Sequence, residues 1–225
     1  MQKTIFVTPK DYNDIKKELK NEASDVIVDW TYEATDEASI IAGSTLNNSI
    51  TLAGSGTYNG HTAFITCGHS LSYGSSVTCG GSTIGTVEVN VDYAYSTGDY
   101  SIIQAASGYT ATSGVLTSSG NMTNFTGAYY SPAVGTYLYK YGRVSGQAYC
   151  VVSATGVISS DYRYGLTRAT LISGTSTGGD SGGPYRAGTD FCGIHRASNI
   201  GSGGSYLYFT PYSIVYNAGF TIKTN

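Results

Sequence analysis

Eight consecutive residues, Thr177-Gly178-Gly179-Asp180-Ser181-Gly182-Gly183-Pro184, constrain this chain of 225 residues more than any other stretch. Their glycines let the backbone turn tightly and approach a ligand closely. The hydroxyl of Ser181 stands among residues without bulk, so it can face outward while neighbouring N–H groups point at one spot. A nucleophile beside an oxyanion hole needs that layout. The chain holds 30 glycines, so glycine richness by itself decides nothing; the information lies in the hexapeptide Gly179–Pro184 as a whole.

The rest of the chain reads as a β protein with a charged leader. Charged residues are 12% of the sequence, about half the usual ~25%, and they are unevenly placed. Residues 1–37 carry five lysines and nine acids, whereas residues 38–225 carry seven basic and six acidic side chains. That step marks a boundary near residue 38. It also leaves no Lys/Arg cluster of the kind that nucleic acid or a polybasic membrane contact requires. Beyond the boundary, β-branched and aromatic residues alternate between Gly-rich turns. Val87-Glu88-Val89-Asn90-Val91 and Tyr137-Leu138-Tyr139-Lys140-Tyr141 show the period of two that predicts half-buried strands. No run approaches the ~18 apolar residues of a membrane span, and no signal peptide opens the sequence.

Residues 1–37 predict a small β-α-β extension, read either as the remnant of a pro-segment or as a decoration packed on the main body. Ile5-Phe6-Val7 is one strand and Val26-Ile27-Val28 the other. Between them Thr8 can cap a helix, Pro9 suits its first position, and Tyr12, Ile15 and Leu19 form one apolar stripe. Thr31–Ser39 is polar and acidic, a linker ahead of a main domain spanning 38–225.

A strand, Thr62-Ala63-Phe64-Ile65-Thr66-Cys67, ends in Gly68-His69 and would deliver an imidazole at the end of a buried element. His61, beside Asn59-Gly60, reads as a surface histidine in a turn. A carboxylate is then needed to orient the imidazole. After residue 37 the acids are Glu88, Asp92, Asp99, Asp161, Asp180 and Asp190, and both Asp92 and Asp99 are followed by tyrosine. The apolar pair Ile102-Ile103 favours Asp99 as the opening of a buried strand, with Asp92 as its rival and Asp180 as a structural carboxylate of the Ser181 loop.

Gly-Asp-Ser-Gly-Gly-Pro resembles the nucleophile loop of the chymotrypsin-like serine proteases. Thr66-Cys67-Gly68-His69 resembles their histidine motif, with Cys67 in place of alanine, and Asp99-Tyr100-Ser101-Ile102 resembles their aspartate segment. The order His69, Asp99, Ser181 is one of the chain orders of such triads. Lys140-Tyr141-Gly142-Arg143-Val144-Ser145-Gly146 is similar to a segment of bacterial secreted members. The resemblance implies an all-β fold of two packed antiparallel six-stranded barrels with a short C-terminal helix, here expected after Phe209 with Thr210 as its cap. It implies the triad His69, Asp99 and Ser181, an oxyanion hole from the N–H groups of Gly179 and Ser181, protein or peptide substrates, no cofactor or metal, and a secreted monomer. The strand around Gly193-Ile194-His195-Arg196-Ala197-Ser198 matches the family's primary specificity pocket. Gly-Ile-His there is similar to glutamyl endopeptidases, with Ser176 and Ser198 at hydroxyl-bearing positions. An imidazole with hydroxyls can bind a carboxylate or a carboxamide, so glutamate is expected at the cleaved position, with glutamine or a small apolar residue as alternatives. Thr175 stands where trypsin-like specificity would need an acid. Arg196 is a departure from the relatives' small residue or tryptophan, and is expected to protrude near the cleft. A protease-fold binding protein, or an enzyme active only on itself, is the competing reading; an enzyme that prefers glutamate could also release its own N-terminal segment at Glu33 or Glu37 in the linker.

Four cysteines permit three pairings. Cys67 and Cys79 enclose a short loop around His69, and Cys150 and Cys192 fall on strands of the second half. These two bridges are expected, and with them an oxidising compartment. A zinc site from Cys67, His69 and Cys79 lacks a fourth ligand and the short spacing of zinc clips.

Overall fold

The computed structural model describes residues 3–7, 26–30, 38–117, 121–201 and 204–225. Two compact units separate, Met1–Ala38 and Ser39–Asn225. In the first, the strands Lys3–Val7 and Val26–Trp30 pair in parallel, with Ile5 opposite Val28. The helix expected between them lies outside the described residues.

The second unit is built around two large sheets, with small two-stranded pairings beside them. One runs Thr221–Ile222, Gly54–Tyr58, His61–Thr66, Tyr100–Ala105, Ser82–Val91, Ser76–Cys79, Thr45–Leu46, Ile50–Thr51. Asn59 and Gly60, both at positive φ (49° and 80°), make a two-residue hairpin in it, as Asn-Gly does between strands of right-handed twist. The other sheet is a run of Asp190–Gly201, Pro184–Ala187, Tyr137–Gly142, Gly146–Val157, Leu166–Ser173, Gly204–Pro211, to which the short strand Gly127–Ala128 adds in parallel beside Asp190–Gly201. The two end strands of that run also pair with each other, His195 opposite Phe209, so it closes into a six-stranded barrel. The first sheet stays open as a half-barrel. Full closure leaves no edge, and the rigid ring is the half that carries Ser181.

The side chains that fill the ring follow the strand alternation, whereas His61–Thr66 and Tyr100–Ala105 are buried on both faces over most of their length. Phe64, Ile65, Val77, Ile84, Ile102 and Ile103 form the first core, which Phe191, Tyr212, Val215 and Phe220 extend from the chain's second half. Leu138, Cys150, Val152, Ala169, Tyr185, Leu207 and Phe209 fill the ring, where the Tyr185 and Phe209 rings stack at 4.3 Å. The helix is Tyr212–Asn217, preceded by Pro211 with no side-chain cap. Thr210 does not cap it as expected, because its hydroxyl is committed to the backbone of Asp99. After the helix the chain crosses back, and Thr221 and Ile222 pair with Thr57 and Gly56 of the first sheet.

The two expected disulfides are not formed: all four cysteines are free thiols. Cys67 is buried in the first core. Cys79 sits on a hairpin strand opposite Ser82, next to Leu46. Cys150 and Cys192 share the second core, but each thiol donates to a backbone carbonyl, of Leu138 and Asp190. Burial pushes both thiols up to about 12, which keeps them protonated and weakly reactive.

Candidate active site

The site is assembled from strand ends of both halves. His69 follows the strand His61–Thr66, and Asp99 immediately precedes Tyr100–Ala105, its antiparallel neighbour. Antiparallel pairing thus sets the two side by side. Asp99 is fully buried. Its Oδ1 accepts the N–H groups of Gly68 at 2.6 Å and His69 at 3.1 Å, and its Oδ2 lies 2.7 Å from Nδ1 of His69. Bonds to the backbone fix the carboxylate, and the carboxylate fixes the ring. A second clamp acts from the opposite side: the N–H of Asp99 donates to Thr210 Oγ1 at 2.9 Å, and that hydroxyl donates back to the Asp99 carbonyl at 3.0 Å.

Nε2 of His69 lies 3.0 Å from Oγ of Ser181, within hydrogen-bond reach. Burial disfavours the charged imidazole, but the hydrogen bond to Asp99, with smaller contributions from Cys67, outweighs it and raises the His69 pKa above the ordinary value of 6.5. The ring is thus a stronger base than a free imidazole.

The loop presenting Ser181 is held from below. Gly182, at φ +85°, could carry no side chain, because a Cβ would lie 2.0 Å from Thr66 Oγ1 and 2.2 Å from the Thr51 carbonyl. The Ser181 carbonyl accepts the Thr51 N–H at 2.8 Å, and the N–H groups of Asp180, Gly182 and Gly183 are bonded to carbonyls. Among the described residues, the N–H groups of Gly179 and Ser181 have no protein acceptor. They remain available to a negative oxygen.

Two features escaped sequence reasoning. Lys140 is fully buried, and its Nζ donates to Asp180 Oδ2 at 2.5 Å and to Ser176 Oγ at 3.0 Å. The tyrosines of Tyr137–Tyr141 point to the outer face, while Leu138 and Lys140 point inward. A lysine on the face of a buried leucine is a signal that the sequence did contain. Asp180 also accepts the N–H groups of Val144, Ser145 and Thr177 and the Ser145 hydroxyl. Burial alone would raise its pKa; the Lys140 bond and charge, then the Ser145 bonds, bring it down to about 2. Gly142 makes room for this carboxyl, since a Cβ there would lie 2.2 Å from its carbon.

The second feature is Arg196. Instead of protruding, its guanidinium turns inward, Nε 3.1 Å from Asp99 Oδ2, and its Nη2 bonds to Asp161. Asp92, the rival carboxylate, pairs with Arg163 at 2.5 Å rather than with His69. His61 is exposed at its hairpin.

Of the expected pocket residues, Ser176 and His195 meet and Ser198 stands apart. His195 is buried, with Nε2 3.0 Å from Ser176 Oγ and Nδ1 3.0 Å from the Tyr185 hydroxyl. Burial, reinforced by the nearby Lys140 charge, pushes its pKa well below 6.5, so the ring is neutral. Ser198 is exposed and lines a cavity of about 260 Å³ with Ile158, Arg196, Asn199 and Tyr208. Thr175 is exposed.

A buried Asp–His pair aimed at a serine on a Gly-lined loop, between an open sheet and a closed barrel, is the architecture of the chymotrypsin-like serine proteases, and the chain has that fold. Comparison with known proteins agrees. The chain is 34% identical over 165 residues to Serine protease 1 of Streptomyces fradiae, a match covering 68% of this chain and 43% of the relative. It thus spans less than half the length of that curated relative. In structure it resembles Thermobifida fusca Protease A, with a TM-score of 0.71 and 25% identity over 84% of this chain and all of the other. It also resembles a glutamic-acid-specific serine protease that uses a histidine triad in substrate binding, with a TM-score of 0.71 and 25% identity over 82% of this chain and all of the other. No protein-family model matches the chain.

Proposed function

We propose that this protein is a serine endopeptidase that hydrolyses peptide bonds through an acyl-enzyme on Ser181 and prefers glutamate at the cleaved position. The observation that carries the reading is the unbroken line from Ser181 Oγ to His69 Nε2 (3.0 Å) and from His69 Nδ1 to Asp99 Oδ2 (2.7 Å). As Oγ adds to the substrate carbonyl carbon, its proton passes to Nε2, and the carbonyl electron pair moves onto oxygen. The N–H groups of Gly179 and Ser181 receive that oxyanion; one such donor is typically worth 10²–10³-fold in rate. Asp99 stabilises the imidazolium. The ring then gives its proton to the amine nitrogen, the C–N bond breaks, and water reverses the sequence to free the acid and Ser181.

The glutamate preference rests on His195 and Ser176, with Lys140 behind Ser176 supplying a positive charge one hydrogen bond away. The glutamate-specific relative uses three histidines, whereas this sequence has three in all, one in the proposed triad and one on an exposed hairpin. A substrate carboxylate would therefore meet a single imidazole, supported by Ser176 and Tyr185. The neutrality of His195 also suits a carboxamide, which makes glutamine the second reading.

Labelling with a fluorophosphonate probe and cleavage of peptides differing only at the cleaved residue test both parts. Wild-type protein should label at Ser181 and Ser181→Ala should not; absence of labelling in the wild type would mark a protease-fold binding protein. Fastest cleavage after glutamate is expected, and fastest cleavage after glutamine would move the assignment to the second reading. Release of residues 1–37 at Glu33 or Glu37 by wild type but not by Ser181→Ala, read by mass spectrometry, would identify self-processing.

A further inference from the structure

The Asp99 carboxylate serves two cations, and the second is unaccounted for by the reaction just proposed. We propose that Arg196 is a positioning residue that sets the basicity of His69 by sharing Asp99 Oδ2 with it. This inference rests on the reading of His69 as general base.

The geometry is specific. Oδ2 of Asp99 lies 2.7 Å from His69 Nδ1 and 3.1 Å from Arg196 Nε. Asp99 is wholly buried and the Arg196 side chain is only 12% exposed, so solvent screens this contact little. The Arg196 Nε atom is buried and lacks a well-aligned hydrogen bond; its contact with Asp99 is one of charge. Held there, a guanidinium satisfies part of the negative charge that would otherwise act on the imidazolium. It therefore opposes protonation of His69, against the pull of Asp99. An acid–base group works best with its pKa near the operating pH, and a base raised too far would sit protonated and idle.

Arg196 is itself held in place. Its carbonyl lies 3.3 Å from Ser181 Oγ, an alternative acceptor to His69 Nε2 for the one hydroxyl proton, so its backbone runs beside the nucleophile. Its Nη2 bonds to Asp161, which also pairs with Arg163 at 2.9 Å, and Arg163 reaches Asp92. A charge ladder Asp92–Arg163–Asp161–Arg196–Asp99 thus runs from the surface to the triad. It joins the segments 92–99 and 159–163, whose backbones also bond through the Tyr95 N–H and the Tyr162 carbonyl at 2.8 Å. The other titratable groups facing His69 and Asp99 include Cys67 on the histidine strand, His195 deeper in the ring and Arg163, whose charge Asp99 also feels. His195 is neutral and Arg163 is engaged with Asp92 and Asp161, so Arg196 is the cation in contact with Asp99.

The experiment compares the pH dependence of Ser181 phosphonylation by a fluorophosphonate in wild type, Arg196→Gln, Arg196→Lys and Asp161→Asn, alongside NMR titration of the His69 ring. Arg196→Gln should move the midpoint of both curves up by about one pH unit, slowing labelling about tenfold on the acidic side. Arg196→Lys should stay within half that shift. Asp161→Asn, at an exposed position, releases the full guanidinium charge to Asp99 and should move the midpoint down. Midpoints of Arg196→Gln and Asp161→Asn within a few tenths of wild type would overturn the inference, and if Arg196→Gln does not fold, Asp161→Asn decides alone. Wild type that never labels would sink the protease reading instead, while the NMR titration would still report on Arg196.

Discussion

The ammonium of Lys140 lies 2.5 Å from the carboxylate of Asp180, and neither side chain reaches solvent. The pair sits directly beneath Ser181, with Lys140 on a strand of the ring and Asp180 on the loop. A buried ion pair gains little over a well-packed apolar pair, but breaking it by removing one partner is severe. Lys140→Met should therefore destabilise the protein by about 3–5 kcal/mol and lower the rate of Ser181 labelling, both read against wild type by thermal unfolding and probe kinetics. Because Asp180 is held at about 2, below the ordinary carboxylate value near 3.9, its contribution to stability is present at neutral pH and is lost as pH falls from about 4 to 2. Unfolding curves in that window should lose this component in the double variant that combines Lys140→Met with Asp180→Leu.

The His69 pKa is raised, and the reaction needs the ring neutral. Activity should rise with pH along an acidic limb whose midpoint lies above 6.5, measured as kcat/KM against pH. The same shift has the opposite sign for stability. A raised imidazole stabilises the fold below pH 6.5, and that increment disappears as pH climbs through the folded-state pKa.

His195 is expected to choose the substrate rather than to perform the chemistry. His195→Ala should reduce kcat/KM for a glutamyl peptide by about 10–100-fold, on the order expected for losing one hydrogen-bonding partner in a polar pocket. Fluorophosphonate labelling of Ser181, which does not use that pocket's polar groups, should change far less. Equal losses in both assays would assign His195 a structural role.

The cysteines give a simple chemical test. Denatured protein that has seen no reductant should take up four alkyl groups by mass spectrometry, and reductant should leave the unfolding midpoint unchanged. Two fewer adducts per bridge would restore the sequence expectation.

Local patterns carried the site further than they carried its support. Ser181, His69 and Asp99 were legible because a nucleophile loop, a strand ending in Gly-His and an acid ahead of Ile102-Ile103 each leave a short signature. Lys140 and Arg196 were not read correctly, because their roles depend on what lies across the fold. Lys140 faces a loop forty positions away, and Arg196 turns toward a carboxylate from the other sheet. Thr210 failed for a related reason: a cap residue in sequence became a clamp on Asp99 in space. The cysteine pairing failed because sequence says which sulfurs could meet, and not that Cys150 and Cys192 each face a backbone carbonyl.

The strand Thr221–Ile222, which follows the helix, edges the sheet that holds His69 and Asp99. Lys223 and Asn225 continue the stitching through Ser55 and Phe125. Contacts so remote in sequence exact their loop-closure entropy before they repay it, and topologies rich in them form slowly. The imidazole and carboxylate consequently owe part of their alignment to a segment far removed in sequence, so loosening Thr221–Ile222 would be felt at a triad that it never touches.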